Sequence, residues 1–499
     1  MTTRRIPLVG SLSNRNPNPG SFLTKDQIFT NCYPEIQKNP VTGTSRVYLN
    51  KRPGMSQSAV VTTTVNNGSY GCCLWSSSSS SASPSVFSFA GSALAKIFRQ
   101  DVTQVGADIS NVNTCYFLND TSVNGVGTLT GIFADSGTGA KEGWYFPEGG
   151  SWTQITDSDF PTNLTPYIAH MDGYMFVMGT DGKVTNSDLN SVSTYTAGAY
   201  ITAQSMPDGG IGVARYKNTI VAIGKYSVEF FRNAGNPTGS VLVPVKDALI
   251  RIGGIDQGGA RTIFTYGDTV YWIGINPESG ARGVYRLNGS QAEKVSNPYI
   301  DKRLSEDTIQ GFSGAFNSHG MSHILMATGS QSAPAYCVDT NTWWNFQTFG
   351  DGGSGPVLQA VVGSIVGADS AANYFSDTNI GSNRIYTMDA AVPVYQDATS
   401  TYRMLVRTET IDFGTDRKKF YQKFKIIGDR QTTNSPVSVA YSDDDYATST
   451  SAGTIQMSST VNVLTRLGSS KRRAWYLEHT TTTPFRAEAI ELDFEVGEA

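Results

Sequence analysis

A unit of strand, tight turn, strand, longer polar connection and third strand recurs through the middle of the chain at intervals of roughly 45–50 residues. It reads "YIAHMDGYMFVMGTDGKVTNSD" from Tyr167, "VARYKNTIVAIGKYSVEFF" from Val213 and "IFTYGDTVYWIGINPESGARGVYRLNGSQAEKVS" from Ile263. Further copies are "SHILMATGSQSAPAYCVDTNTWWNFQT" from Ser322 and "AVVGSIVGADSAANYFSDTNIGSNRIYTMD" from Ala360. Asp172-Gly173, Asp181-Gly182, Gly267-Asp268 and Asn288-Gly289 supply the turns. Upstream, "CYFLNDTSVNGVGTLTGIFAD" and "GWYFPEGGSWTQIT" follow the same grammar. This interval is that of a four-stranded propeller blade, and a ring of blades leaves few strand edges exposed. The expected fold is all-β: a β-propeller of six or seven blades, complete or not, over residues 58–398.

Composition agrees with short strands joined by turns. Glycine is abundant, at 51 residues, and only 16% of residues are charged, which is poor material for helices with charged faces. The best short helical stretch is "PYIDKRLSEDTIQGF", from Pro298. Residues 1–57, with "NRNPNPG", "NCYPE" and "YLNKRPGM", read as an N-terminal arm plus a lead-in strand. "WSSSSSSASPS", from Trp75, reads as a solvated loop between blade strands. After "PVYQDATSTY" the texture changes to longer alternating strands ("YRMLVRTETIDFG", "FYQKFKIIGD", "VSVAYS", "AWYLEHTT", "AEAIELDFEV"), expected to form a C-terminal β-sandwich over residues 399–499.

The net charge of −4 argues against a protein whose main task is gripping nucleic acid. The opening "MTTRRIPLVGSLS" shows no sustained apolar run, and no segment approaches a bilayer-spanning length, so neither secretion nor membrane insertion is expected. Five cysteines, an odd number at irregular positions, do not suit a disulfide framework; reduced thiols and cytoplasmic synthesis are expected.

The stretch "SMPDGGIGVARYKNTIVAIGKYSVEFF", Ser205 to Phe231, invites comparison with a phosphate-binding glycine loop. Such a loop needs a helix behind it to supply amide donors and a favourable dipole. Here "TIVAIG" and "YSVEFF" have strand length and composition, so the glycines read as turns. "SGTGAKEG", from Ser136, lacks the Gly-Lys-Ser/Thr ending and is also a turn. His319 and His323 flank Gly320 with no third ligand in sequence, so no metal site is expected. "YSDDDYATS", Tyr441 to Ser449, partly matches the sialidase Asp-box through Ser442, Asp444 and Thr448, but Tyr446 replaces its glycine; a hairpin tip without ligand is expected. The basic clusters Arg417-Lys418-Lys419 and Lys471-Arg472-Arg473 read as solvated strand edges, or as docking points for an acidic partner. No catalytic residue, cofactor or metal ligand is expected.

Three blocks of residues carry a resemblance. Gln204, Pro207, Asp208, Gly209, Ile211, Gly212, Ser227, Glu229 and Phe231 follow a pattern shown by the packaged-DNA stabilisation proteins, or tail hubs, of short-tailed phages similar to the Salmonella tailspike phage. Met206 is an extra residue before Pro207, and Phe230 stands where the family has tyrosine. "NCYPE…YLNKRPGM", with Tyr33, Pro34, Arg52, Pro53 and Gly54, resembles the family's N-terminal Pro-Gly strand. "RLGSSKRRAW", with Arg466, Gly468, Arg472 and Arg473, resembles its Arg-x-Gly-x-x-Arg-Arg strand. The resemblance implies a virion structural protein of the tail, assembled in the bacterial host cytoplasm. It further implies a ring of copies, a hexamer, below the portal and its adaptor protein. That ring would extend and seal the channel through which double-stranded DNA passes, and hold the tail needle or the tailspikes and fibres. The rival reading is a propeller glycosidase or glycan-binding protein, which would need carboxylates or a tyrosine nucleophile clustered in the central funnel.

Overall fold

The computed structural model describes residues 2–9, 27–38, 45–60, 71–75, 85–90, 94–99, 103–121, 127–206, 208–255, 262–306, 309, 313–326, 332–348, 358–366, 371–377, 384–389 and 393–497. The Asn/Pro-rich stretch at 14–20, the serine run at 76–81 and Pro207 lie outside them.

Among the described residues, seven blade sheets follow one another: residues 72–110, 112–154, 164–202, 210–250, 253–294, 314–347, and 358–389 joined by Ser56–Val60. The protein is a β-propeller, and the count falls at the upper of the two numbers expected. The innermost strand of each blade touches that of the next. Cys72–Leu74, Val112–Asp120, Leu164–Met171, Gly210–Tyr216, Ile263–Tyr266, Gly314–Ser318 and Leu358–Val366 form this series, and the last touches the first. Ser56–Val60 forms the outer strand of the seventh blade, antiparallel to Arg384–Asp389. The ring is thus fastened by two segments far apart in sequence.

Blade 4 (210–250) shows why these residues make strands. Gly210–Tyr216 and Thr219–Gly224 pair from Gly210↔Gly224 to Tyr216↔Thr219, leaving Lys217-Asn218 as a two-residue turn. Val221, Ala222 and Ile223 are all buried, because neighbouring blades cover both faces of a blade and the strand reads as an unbroken apolar run. One core cluster runs through blades 2 to 5, including Ile168, Phe176, Val221, Phe230 and Trp272. The stretch from Pro298 does form a helix, Pro298–Glu306, capped where Asn297 Oδ1 accepts from Ile300 N (3.0 Å) with Pro298 at the first helical position. Among the described residues no helix is long and apolar enough to cross a membrane.

The remaining strands build two facing sheets. One continues outward from blade 6: Thr342–Gln347, Ile28–Thr30, Met404–Arg407, Ala474–His479, Pro436–Ser442, Thr450–Gln456. The other runs Cys32–Lys38, Ser45–Lys51, Arg486–Val496, Lys419–Gly428, Val463–Thr465, with Thr2–Pro7 also on Arg486–Val496. Phe424 and Trp475 pack between them with ring centroids 4.6 Å apart, beside Leu477, Ile490 and Leu492. The described N-terminal strands therefore do not extend away from the body as an arm. Phe29, Cys32, Tyr33 and Leu49 are buried in the same core as the C-terminal strands and as Phe316 and Phe375 of blades 6 and 7, and burial of that much apolar surface outweighs the Pro/Asn-rich character of the flanking sequence.

Candidate functional site

The motif residues fall into three separate places, each a structural fastening. Arg52, Pro53 and Gly54 lie where the chain crosses from the sandwich strand Ser45–Lys51 to the blade 7 strand Ser56–Val60. The returning segment, 393–402, crosses beside it. Arg52 is fully buried and forks onto Asp397, itself fully buried, with Nη1 2.9 Å from Oδ1 and Nη2 2.5 Å from Oδ2. Its other donors go to Asn31 Oδ1 (2.8 Å), Pro53 O (2.8 Å) and Gln347 O (2.9 Å). The guanidinium lies over the Tyr402 ring at 3.9 Å, and the Tyr402 hydroxyl donates to Arg52 O. Asp397 Oδ1 also accepts from Met55 N at 3.1 Å. Gly54 is required by close approach: a Cβ there would sit 2.1 Å from Gln396 O.

Next to this pair lies a second buried cation. Lys51 Nζ donates to Thr481 O (2.6 Å) and approaches His479 Nδ1 (3.3 Å), and burial, then the charge on Arg52, lowers its pKa to about 7. His479 is held at about 3 by burial and by Lys51. Tyr33 is buried, with its hydroxyl 2.5 Å from Ser318 Oγ and 2.6 Å from His319 Nδ1 in blade 6. Its ring lies 4.4 Å from that of His323. The two histidines are packing partners of one tyrosine, and His323 is held neutral by burial, at about 3. Pro34, on the same strand as Tyr33, pairs with Leu49.

The second group clamps blade 3 to blade 4. Asp208 accepts from Tyr226 N (2.6 Å) and Ser227 Oγ (3.0 Å), and Glu229 from Ser205 N and Ser205 Oγ (both 2.9 Å). Asp208 ties the segment leading into the blade to the turn between its second and third strands, and Glu229 ties it to the third strand itself. Gly209 has φ +69, and a Cβ on Gly212 would sit 2.4 Å from the Tyr167 ring of blade 3. Phe231 is buried in the blade core, and Gln204 is exposed. The glycines close a turn and admit a neighbouring blade, with a strand behind them and no helix.

At the sandwich tip, the basic run and the aspartate run answer each other. Arg473 is buried and forks onto Asp443 (2.7 and 2.8 Å), donates to Leu467 O (2.5 Å) and lies 3.7 Å over the Tyr441 ring. Arg472, half-exposed, pairs with Asp445, and Lys471 with Asp416 at 2.9 Å. Asp444 accepts from Ser442 Oγ (2.7 Å) and Thr448 N (3.0 Å), and these bonds with the Thr448 hydroxyl hold its pKa at about 2. Arg473 is therefore a core ligand of Asp443 and not part of a solvated edge; two aromatic rings and a carboxylate outweigh the hydration of one guanidinium. Gly468 (φ +72) gives its carbonyl to Tyr421 N at 2.9 Å, and Arg466 (φ +62) is exposed. Asn31 and Lys51 fall inside the quoted "NCYPE" and "YLNKRPGM" blocks, but Asp397 and His479 carried no local signal; only a pairing of residues hundreds of positions apart would have found them.

One further place has the form of a site. A cavity of about 900 Å³ lies inside the ring of inner strands, with Asp120, His170, Arg215, Lys217, Tyr266 and Asp268 among its lining. Among the described residues no group of three or more His, Cys, Asp and Glu is placed to hold a metal ion, and the five cysteines are free thiols.

A family model described as Bacteriophage P22 Gp10, beta-propeller, matches residues 16–316. The tail hub protein gp10 of Salmonella phage P22 is 29% identical over 155 residues, covering 28% of this chain and 32% of that protein. The match thus spans about a third of the curated relative's length. Among solved structures, Chaetomium thermophilum Raptor has a TM-score of 0.42 at 10% identity, covering 67% of this chain and 29% of its own. BBS1N in complex with ARL6DN gives 0.41 at 8% identity over 67% of this chain and 97% of its own, and the N-terminal domain of Nup159 gives 0.39 at 11% over 73% and 98%.

Proposed function

Since the chain belongs to the Bacteriophage P22 Gp10 β-propeller family, we propose that it is a virion structural protein, the tail hub of a short-tailed phage. The observation that carries this reading is the family match across 16–316, which takes in the strands Ile28–Thr30, Cys32–Lys38 and Ser45–Lys51 and five complete blades. In this reading copies form a ring, a hexamer, below the portal and its adaptor. The ring extends and seals the DNA channel and docks the tail needle, spikes or fibres, and the protein acts without catalysis, in the tail of a particle assembled in the host cytoplasm. In this reading the propeller (58–398) and the C-terminal sandwich (399–499), which the strands of the lead-in segment (1–57) join, offer separate contact surfaces.

Three physical features support it. The propeller's own cavity has the volume of a small-molecule site, so a DNA channel would run between copies and not through a blade ring. The sandwich and the propeller share one core and a buried ion pair at their junction, which suits a part that bears load without bending. Blades 2 and 3 are strongly acidic, with Lys141 and Lys183 the only lysine or arginine residues between positions 103 and 202, and such a surface neutralises few DNA phosphates.

The test is a null mutant of the gene, read by nuclease-protected DNA in purified particles. Heads are expected to fill, then lose DNA and lack the distal tail parts. Full, stable and infectious particles without this protein would refute the sealing role.

A further inference from the structure

The inner strands all run the same way across the ring, so the residue positions just before the first hairpin of every blade meet at one mouth of the cavity. Blade 2 brings Asp120 there, blade 3 His170, blade 4 Arg215 and Lys217, and blade 5 Tyr266 and Asp268. Deeper in, the lining is apolar, with Phe117, Ile168, Val213 and Ile263. The volume, about 900 Å³, lies within the roughly 300–1,000 Å³ of small-molecule sites, as does the pattern of apolar walls with a few converging polar groups.

Blade 4 brings two cations to this mouth, Arg215 at the end of its inner strand and Lys217 in the turn that follows, where blade 3 has Asp172 and blade 6 His319 in the same left-handed turn conformation. The Lys217 carbonyl in turn accepts Arg215 Nε at 3.0 Å, which orients the guanidinium and leaves its two terminal nitrogens for a ligand. Beside Arg215, on the adjoining inner strand of blade 3, His170 Nε2 is buried with no hydrogen-bond partner. Burial, then the charge on Arg215, lowers the His170 pKa against the opposing pull of Asp120 and Asp172.

The mixture of signs narrows the ligand. An inorganic anion would satisfy Arg215 and Lys217 and be repelled by Asp120 and Asp268. A neutral sugar would satisfy the carboxylates and leave the guanidinium fork without its natural partner. A molecule bearing one carboxylate and several hydroxyls satisfies both sets. We propose that the propeller cavity binds an acidic saccharide, its carboxylate on Arg215 and Lys217 and its hydroxyls on Asp120 and Asp268. This binding is independent of the tail-hub reading and requires no assembled ring.

The test is calorimetric titration of the purified full-length protein with glucuronic acid and N-acetylneuraminic acid, with glucose and inorganic phosphate as comparators. Saturable binding of an acidic sugar at a Kd of about 1 mM or tighter is expected. Arg215→Gln and Asp268→Asn, both at exposed positions, should each weaken it about tenfold or more while leaving the melting temperature unchanged. Absence of binding by both acids up to about 10 mM, binding unaffected by either substitution, or phosphate binding as tightly as glucuronate would each overturn the proposal.

Discussion

Replacing Arg52 with methionine keeps most of the side-chain volume and removes only the guanidinium. Asp397 would then be a carboxylate at 0% exposure without its guanidinium partner, while Pro53 O and Gln347 O lose the Arg52 donor and Asn31 Oδ1 keeps only the bond from Gln347 N among those it accepts here. Removing one member of a buried pair in this way costs about 3–5 kcal/mol. For a cooperative unit of a few hundred residues that is a fall in melting temperature of roughly 10 °C. Arg52→Lys should recover little, because an ammonium cannot serve a bidentate carboxylate and three further acceptors. The double variant Arg52→Met/Asp397→Leu should lose less than Arg52→Met alone, since no charge is left behind. Differential scanning calorimetry of the four proteins, with limited proteolysis around residues 393–402, measures both effects. A loss below about 1 kcal/mol for Arg52→Met, or a double variant worse than the single, would show that the pair does not fasten the junction.

Lys51 has a folded-state pKa of about 7, below its usual value of 10.5, so the unfolded chain holds the extra proton between those values and stability should rise with pH from 7 to 10. Lys51→Met should raise the melting temperature at pH 7 by a few degrees and flatten that slope; an unchanged pH profile counts against it. Asp208→Ala removes the acceptor for Tyr226 N and Ser227 Oγ and should destabilise by about 1–3 kcal/mol, with faster hydrogen exchange at residues 224–228 as the local readout. At the sandwich tip the two arginines should separate: Arg472→Ala within about 1 kcal/mol of wild type, Arg473→Ala down by about 3 kcal/mol or more, both read by denaturant unfolding. Equal effects would contradict the difference in their burial.

The blade repeat was readable because its signals are local. Apolar runs of strand length end at Asp172-Gly173, Gly267-Asp268 and Gly320, and each such turn needs only its own few residues to form. The helix at Pro298 was readable for the same reason, as the one short stretch with apolar residues at helical spacing. What joins the blades to the rest was not. Ser56–Val60 pairs with residues more than 300 positions away, and nothing in "SQSAV" specifies that partner. The lysine and arginines of "KRRAW" look alike in sequence, yet one is buried on Asp443 because the following strand turns that position inward between Tyr421 and Tyr441. The cavity was invisible because its polar residues come one or two from each blade.

The fastening of blade 7 by Ser56–Val60 sets a timetable for the nascent chain. Six blades can form in order as they emerge, each from contiguous residues. The seventh must wait until Arg384–Asp389 has been made and can return to a strand synthesised more than 300 residues earlier. Until then the ring is open at one edge, with a sticky strand exposed on blade 7's side and the early segment unattached. A ribosome pausing between residues 60 and 384 would therefore prolong the interval in which two growing chains on one message could exchange that strand.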